Sequence, residues 1–258
     1  MWLSCLPWYD LHELRSATDA LWLRIAENLR ASGIKHVPKH LNRSLHYEDQ
    51  WDSGNLLLGQ ACGYDVALAF ADRLRVVSAP EFDLDGCKGP TYRSFVVVRE
   101  DNAVTSIQDL RGLRCVINTP TSHSGMNVLR ALVAPLSEDG YFFKSVEISG
   151  AHERSLELLH HQKADVAAID CITYGLLKRV RPQALAGIRV IHQTQTVAAP
   201  PFVTSKNTSE ATIGALREAI EAALPLPELA LMSTAPIRLH DYAPIAQSAR
   251  HDMLQFRA

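Results

Sequence analysis

The chain has 258 residues, 47% of them apolar and 21% charged, and its 26 Lys and Arg stand against 28 Asp and Glu for a net charge of -2. That length buries enough surface to hold a fold without staples, as one large domain or two packed lobes, and the apolar content excludes a disordered chain. The near-neutral charge leaves no field for nucleic acid or an anionic membrane, and no apolar run approaches the roughly 18 residues of a membrane span.

In chain order, a short N-terminal strand leads into a helix over residues 19–30, with Leu21, Ile25 and Leu29 on one face and Gly33 as its stop. Residues 35–53 are polar and His-rich and read as a long loop or weak strand. A short helix is expected from 55 and a short apolar strand over 64–70. Residues 91–99 read as a strand buried on both faces, since Phe95, Val96, Val97 and Val98 run together. A one-turn helix at 105–112, a buried strand at 114–118, a polar turn at 119–124 and a helix at 125–136 follow. Strands at 146–149, 164–170 and 189–193 alternate with helices at 152–162 and 172–180, and a strong helix covers 209–224. This alternation predicts parallel sheets and an α/β class. Segment 228–258 is amphipathic and carries no signal. There is no internal repeat.

Residues 1–8 do not read as an export leader, being short, without a preceding Lys or Arg, and followed by Asp10. Leu3-Ser4-Cys5 ends like a lipoprotein cleavage site, but the regions that should precede it are missing. Five cysteines are too few for a disulfide scaffold and none form a CxxC pair. Cys62 and Cys87 lie at Gly-rich turns, where a bridge is conceivable, although free thiols are the plainer reading. Cys115 and Cys171 sit in apolar runs as core residues.

The sharpest chemical feature is Asn118-Thr119-Pro120-Thr121-Ser122-His123-Ser124-Gly125, which joins a buried strand to a helix. A helix start offers backbone N–H groups and the positive end of the dipole, and several hydroxyls share the turn. Gly125 has no side chain to block close approach. A plain N-cap would need one hydroxyl only. Ser149-Gly150-Ala151-His152 repeats the strand-to-helix arrangement, and Asp170 ends the next buried strand on the same edge. An acid there could take a ligand amine or hydroxyl, or simply cap the following helix. Tyr9, Tyr64 and Tyr92 sit in turns beside strands, where a phenol suits an enclosed small molecule and ordinary packing is the plainer alternative. No phosphate-loop, dinucleotide, nucleophile-elbow or metalloprotease motif is present, and neither His36 and His40 nor His160 and His161 are spaced as metal ligands. No metal or cofactor is expected.

Four stretches then carry a resemblance: Leu56-Leu57-Leu58-Gly59-Gln60 with Cys62-Gly63-Tyr64; Gly89-Pro90-Thr91-Tyr92-Arg93-Ser94; the turn from Asn118 to Gly125; and Ser149-Gly150-Ala151-His152 with Ala164-Asp165-Val166-Ala167-Ala168-Ile169-Asp170. In this order they resemble the phosphate/phosphonate ABC-transporter substrate-binding proteins, the PhnD-like group of type II periplasmic binding proteins. The resemblance implies a two-lobed α/β fold, each lobe a mostly parallel sheet flanked by helices, closing on a ligand at the hinge. Lobe 1 would comprise 1–94 and 196–258, and lobe 2 the inserted 95–195.

It also implies a small oxyanion ligand, phosphonate- or phosphate-like, handed to an ABC-transporter permease. Tyr9, Tyr64, Tyr92, Thr121, Ser122, His123, Ser124, Gly125, His152 and Asp170 are the ligand-binding candidates. His123 stands where the family often carries a small hydroxyl residue, and would add a switchable charge or turn outward. The family works in the periplasm, and the absence of a readable leader keeps a cytoplasmic protein as the alternative. The competing readings are an enzyme on the same fold, like chorismate dehydratases or thiamine-pyrimidine synthases, with His123, His152 or Asp170 as base, and a ligand sensor acting through another chain.

Overall fold

The structure, a computed structural model, describes residues 2–138 and 140–249. Residues 250–258, the end of the amphipathic segment noted above, lie outside the described residues. The chain forms two compact units. The first comprises Met1–Asp83, Cys87–Thr91 and Ala198–Ala243, and the second Leu84–Gly86, Tyr92–Val197 and Pro244–Ala258.

In the first unit, β1 (Leu3–Ser4) leads into α1 (Arg15–Ala31), then α2 (Tyr47–Asp52), β2 (Leu56–Gln60) and β3 (Leu74–Phe82). Leu21, Trp22, Ile25, Ala26 and Leu29 of α1 are buried, so the helical spacing of its apolar residues does decide the buried face. The helix ends where Gly33 takes φ +87°. Several elements differ from the sequence reading: the expected loop or weak strand at 35–53 contains α2, and β3 answers to no expected element. The segment expected to begin a helix at 55 is strand β2, buried throughout, because a continuous run of leucines suits a central strand as well as a helix. The segment 64–70, expected as a strand, holds a π-helical turn, Asp65–Ala69. Asp65 stabilises that turn by accepting a hydrogen bond from the Cys62 N–H at 3.0 Å.

The chain reaches the second unit through β4 (Thr91–Tyr92), and there it forms β5 (Ser94–Arg99) and β6 (Arg114–Ile117). A π-helical turn, His123–Asn127, runs into α3 (Val128–Val133). Next come β7 (Ser145–Ile148), α4 (His152–His160), β8 (Val166–Asp170), α5 (Cys171–Val180) and β9 (Ile188–Gln193). The chain returns through β10 (Val197–Ala198) to β11 (Phe202–Ser205), α6 (Glu210–Ala222) and β12 (Leu231–Ala235), and α7 (Ala243–Ser248) belongs from Pro244 onward to the second unit.

Both five-stranded sheets are mixed. The first has the order β1-β2-β11-β3-β12, with β1 and β2 parallel and β11 antiparallel to both its neighbours. The second has the order β7-β6-β8-β5-β9. Strands β7, β6 and β8 are parallel there, whereas β5 runs against both β8 and β9. Most strands of each sheet still run one way, β1, β2 and β3 in the first and all but β5 in the second. Alternating strands and helices reveal the crossovers, but not the direction in which a strand enters after the chain changes unit.

The second sheet buries Phe95–Val98 and all of β8, worth roughly 1.5–3 kcal/mol per large apolar side chain. Asp165 joins β6 to β8 at one end: its carboxylate accepts the Arg114 N–H at 3.0 Å and the guanidinium at 2.8 and 3.0 Å. That contact holds the Asp165 carboxyl below its ordinary range. Cys5, Cys115 and Cys171 are buried, and Cys62 and Cys87 are half-buried. Among the described residues no helix is long and apolar enough to cross a membrane.

Candidate functional site

The second unit gathers the chemistry at the ends of β6, β7 and β8. Strand β6 finishes at Ile117, and the polar turn carries the chain to Ser122, whose hydroxyl accepts the Gly125 N–H at 3.1 Å as the cap of the π-helical turn. Ser122, His123, Ser124 and Gly125 are buried, while Thr121 is half-buried. Strand β7 leads through Gly150, at φ +89°, to His152 in the first position of α4. Strand β8 ends in Asp170, which caps α5: one carboxylate oxygen accepts the Thr173 N–H at 2.8 Å and the other the Thr173 hydroxyl at 2.5 Å. Thus the capping reading of Asp170 describes its contacts, and it is not its whole environment.

The three segments meet at His152. Its Nε2 lies 2.9 Å from Ser124 Oγ and 3.3 Å from Asp170 Oδ2. Burial pulls the His152 pKa down, against upward pulls from Asp170 and from a backbone hydrogen bond at Ala168, and the net direction is down. Serine and carboxylate share one ring nitrogen. In a nucleophilic triad the carboxylate holds the opposite nitrogen, which orients the imidazole to take the serine proton. This arrangement is suited instead to presenting a hydroxyl and an N–H beside each other.

His123 turns inward and is buried. Its Nδ1 lies 3.0 Å from Asn127 Nδ2, and burial pushes its pKa down to about 4. Asn127 in turn donates to Ser248 Oγ at 2.7 Å, and Arg130 donates to the Ala249 carbonyl at 2.8 Å. This anchors the C-terminal segment beside the helix that follows the turn. Gly125 permits a close approach, but by the protein itself. A Cβ there would lie 2.0 Å from Asn118 Oδ1 and 3.2 Å from His152 Cε1.

Sequence reasoning passed over Asn118 and Thr173 as individual residues. Asn118 Oδ1 is buried with no hydrogen-bond partner, and it opens the very stretch that drew attention. Thr173 follows Asp170 at cap-to-N3 spacing, a readable signal. Among the tyrosines, Tyr92 is 1% exposed and belongs to the core. Tyr9 and Tyr64 lie half-buried in the first unit. Tyr9 takes φ 66° and packs edge-on to Phe82 at 5.3 Å between ring centroids.

The first unit has its own buried acid. Burial pushes the Asp65 pKa up to about 7, the Cys62 N–H opposes the shift and Glu48 adds to it. Trp8, Tyr47 and Trp51 pack nearby on one another, with centroids 4.9 to 6.3 Å apart. A cavity of about 460 Å³ is lined by Leu6, Asp10, Arg43, Tyr47 and Gln50 among others. Within it Arg43 pairs with Asp10 and Asp19, at 2.6 and 2.7 Å.

Several solved structures share this fold. PhnD1 from Prochlorococcus marinus in complex with methylphosphonate matches with a TM-score of 0.78 at 14% identity, over 97% of each chain. A binding protein component of an ABC phosphonate transporter from Pseudomonas aeruginosa matches with a TM-score of 0.71 at 17% identity, over 96% of this chain and 86% of that one. The periplasmic aliphatic sulphonate binding protein SsuA from Escherichia coli matches at 0.59 and 15%, over 96% and 85%. No curated protein matches the sequence. The family described as "ABC transporter, phosphonate, periplasmic substrate-binding protein" matches residues 3–230. With a match over nearly the whole length and a fold of this class, the chain belongs to that family of periplasmic solute-binding proteins.

Proposed function

We propose that this solute-binding protein holds a small oxyanion, phosphonate- or phosphate-like, and supplies it to the permease of an ABC transporter in the periplasm. The observation that carries the reading is the meeting of Ser124, the Ser122-capped turn and His152 within hydrogen-bond distance at the ends of three strands of one sheet. Hydroxyl donors match the several equivalent acceptors of a tetrahedral oxyanion, His152 stands against Ser124 Oγ, and a helix start adds the positive end of its dipole. Thr121 stands beside them as a further hydroxyl. The family's role is binding, and the shared use of one imidazole nitrogen by Ser124 and Asp170 supports binding over nucleophilic chemistry.

The test is a thermal-shift panel of phosphate, phosphite, sulfate, methylphosphonate, aminophosphonates, chorismate and pyrimidine phosphates. Stabilisation by phosphonates or phosphate alone is expected. The double variant Ser124→Ala with Thr121→Ala should lose that shift while keeping its fold by circular dichroism. An unchanged shift would remove the anion from this turn. A response to chorismate or a pyrimidine phosphate alone would overturn the reading.

A further inference from the structure

His152 sits between a hydroxyl and a carboxylate, both at the same nitrogen, and this geometry makes one proton decisive. With a lone pair on Nε2, the ring accepts the Ser124 hydrogen at 2.9 Å and faces the lone pairs of Asp170 Oδ2 at 3.3 Å. The Ser124 oxygen then offers only lone pairs outward, which an anion repels. With a proton on Nε2, the ring donates to Asp170, and the Ser124 hydrogen is free to turn toward a bound anion. Asp170 is held as an acceptor by two donations from Thr173. Burial opposes a further proton on the ring, Asp170 and the Ala168 backbone favour one, and Nδ1, the nitrogen left over, is buried with no hydrogen-bond partner.

The other titratable groups around α4 are engaged elsewhere. On α4 itself, Glu153 pairs with Arg181, Arg154 pairs with Glu157, and His160 Nε2 meets the Ala184 carbonyl. On β6 and at the start of β8, Arg114 and Asp165 pair with each other. On β5, Arg99 pairs with Asp101, and Arg93, just before it, donates to Gln193. His123, in the turn, bonds Asn127. Asp170 therefore leaves a negative charge behind Ser124 that no arginine or lysine contacts among the described residues.

We propose that oxyanion binding at Ser124 is coupled to the uptake of one proton by the His152–Asp170 pair, with the proton on His152 Nε2. This rests on the oxyanion reading above. The proton comes from water, or from the ligand when the ligand arrives protonated. The bound state is then an imidazolium between a carboxylate and an anion, so its charges alternate. Binding raises the proton affinity of the ring, so the sign follows directly. The coupling is fully present at low pH, and it is lost as pH rises through the ring's value in the complex. Between the free and bound values, affinity falls tenfold per pH unit.

The experiment is nitrogen-15 NMR of the histidine ring in the full chain at pH 7, with and without saturating methylphosphonate. Comparison with His152→Gln identifies the signal among the 11 histidines. A neutral ring in the free protein that becomes an imidazolium on saturation is the expected result. A ring that stays neutral while methylphosphonate binds, even one that only moves its proton between its nitrogens, overturns the proposal and leaves the oxyanion reading standing. Absence of binding by methylphosphonate and phosphate overturns both. In Asp170→Asn, which keeps a capping side chain, the ligand-induced protonation should disappear. Its persistence there would overturn the role of Asp170.

Discussion

Gly125 and Asp65 are the residues whose chemistry is set most strongly by their neighbours. At Gly125 a methyl group would meet Asn118 Oδ1 at 2.0 Å. Gly125→Ala must therefore push Asn118 and His152 apart. We expect it to destabilise the protein by roughly 1–3 kcal/mol and to weaken oxyanion binding at least tenfold, as read by denaturant unfolding and by calorimetry with methylphosphonate. Asp65 has a pKa raised by burial to about 7 from an ordinary 3.8. Between those values the folded state binds more protons than the unfolded state, so this group's contribution to stability falls as pH rises. Asp65→Asn keeps an oxygen for the Cys62 N–H and removes the charge. It should match the natural protein near pH 4 and exceed it at pH 8 by a few kcal/mol, of the order set by a shift of this size. A stability difference that does not vary between pH 4 and pH 8 would contradict this account.

The helix caps test whether individual elements serve the fold or the site. Ser209 caps α6 in the first unit by accepting the Thr212 N–H at 3.2 Å. Ser209→Ala should cost about 1 kcal/mol of stability and leave methylphosphonate affinity unchanged. Asp170 caps α5 and also faces His152, so Asp170→Ala should cost at least as much stability and reduce affinity too. Equal effects of the two variants on binding would deny Asp170 any role beyond its cap. At this scale most of the second unit was legible. The uninterrupted Phe95–Val98 run and the Val166–Asp170 strand are buried strands, and α4 and α5 start within a residue of their expected positions, as does α6 in the first unit. The failures cluster in the first unit. Strand β2 was open to two readings because five buried residues in a row have no period. The π-helical turn at Asp65–Ala69 depends on a side-chain bond to the backbone that no apolar pattern reports.

For the whole molecule, a bound ligand should stabilise the native state by mass action. At 100 times its dissociation constant the gain is about 2.7 kcal/mol, which corresponds to a rise in Tm of the order of 5 °C for a chain of this size. Scanning calorimetry with methylphosphonate checks it. The two units need not unfold together, and a site confined to residues of the second unit predicts that the transition most raised by ligand is the one lowered by Gly125→Ala. A rise confined to the other transition would place the ligand elsewhere.

What the amino-acid order determined by itself was local and periodic. It settled the α/β class, the buried strands and helices of the second unit, the Ser- and Thr-rich turn, and the resemblance that those segments carry together. Each of these depends on residues within a few positions of one another, where side-chain periodicity and capping chemistry operate. Only the tertiary structure decided the rest. It reversed β5 and β11 within their sheets and buried Tyr92. It turned His123 to Asn127 and brought His152 to Ser124 and Asp170 across 28 and 18 residues of chain. Those outcomes depend on which strands become neighbours, and burial at their ends then pulls the pKa of both histidines down.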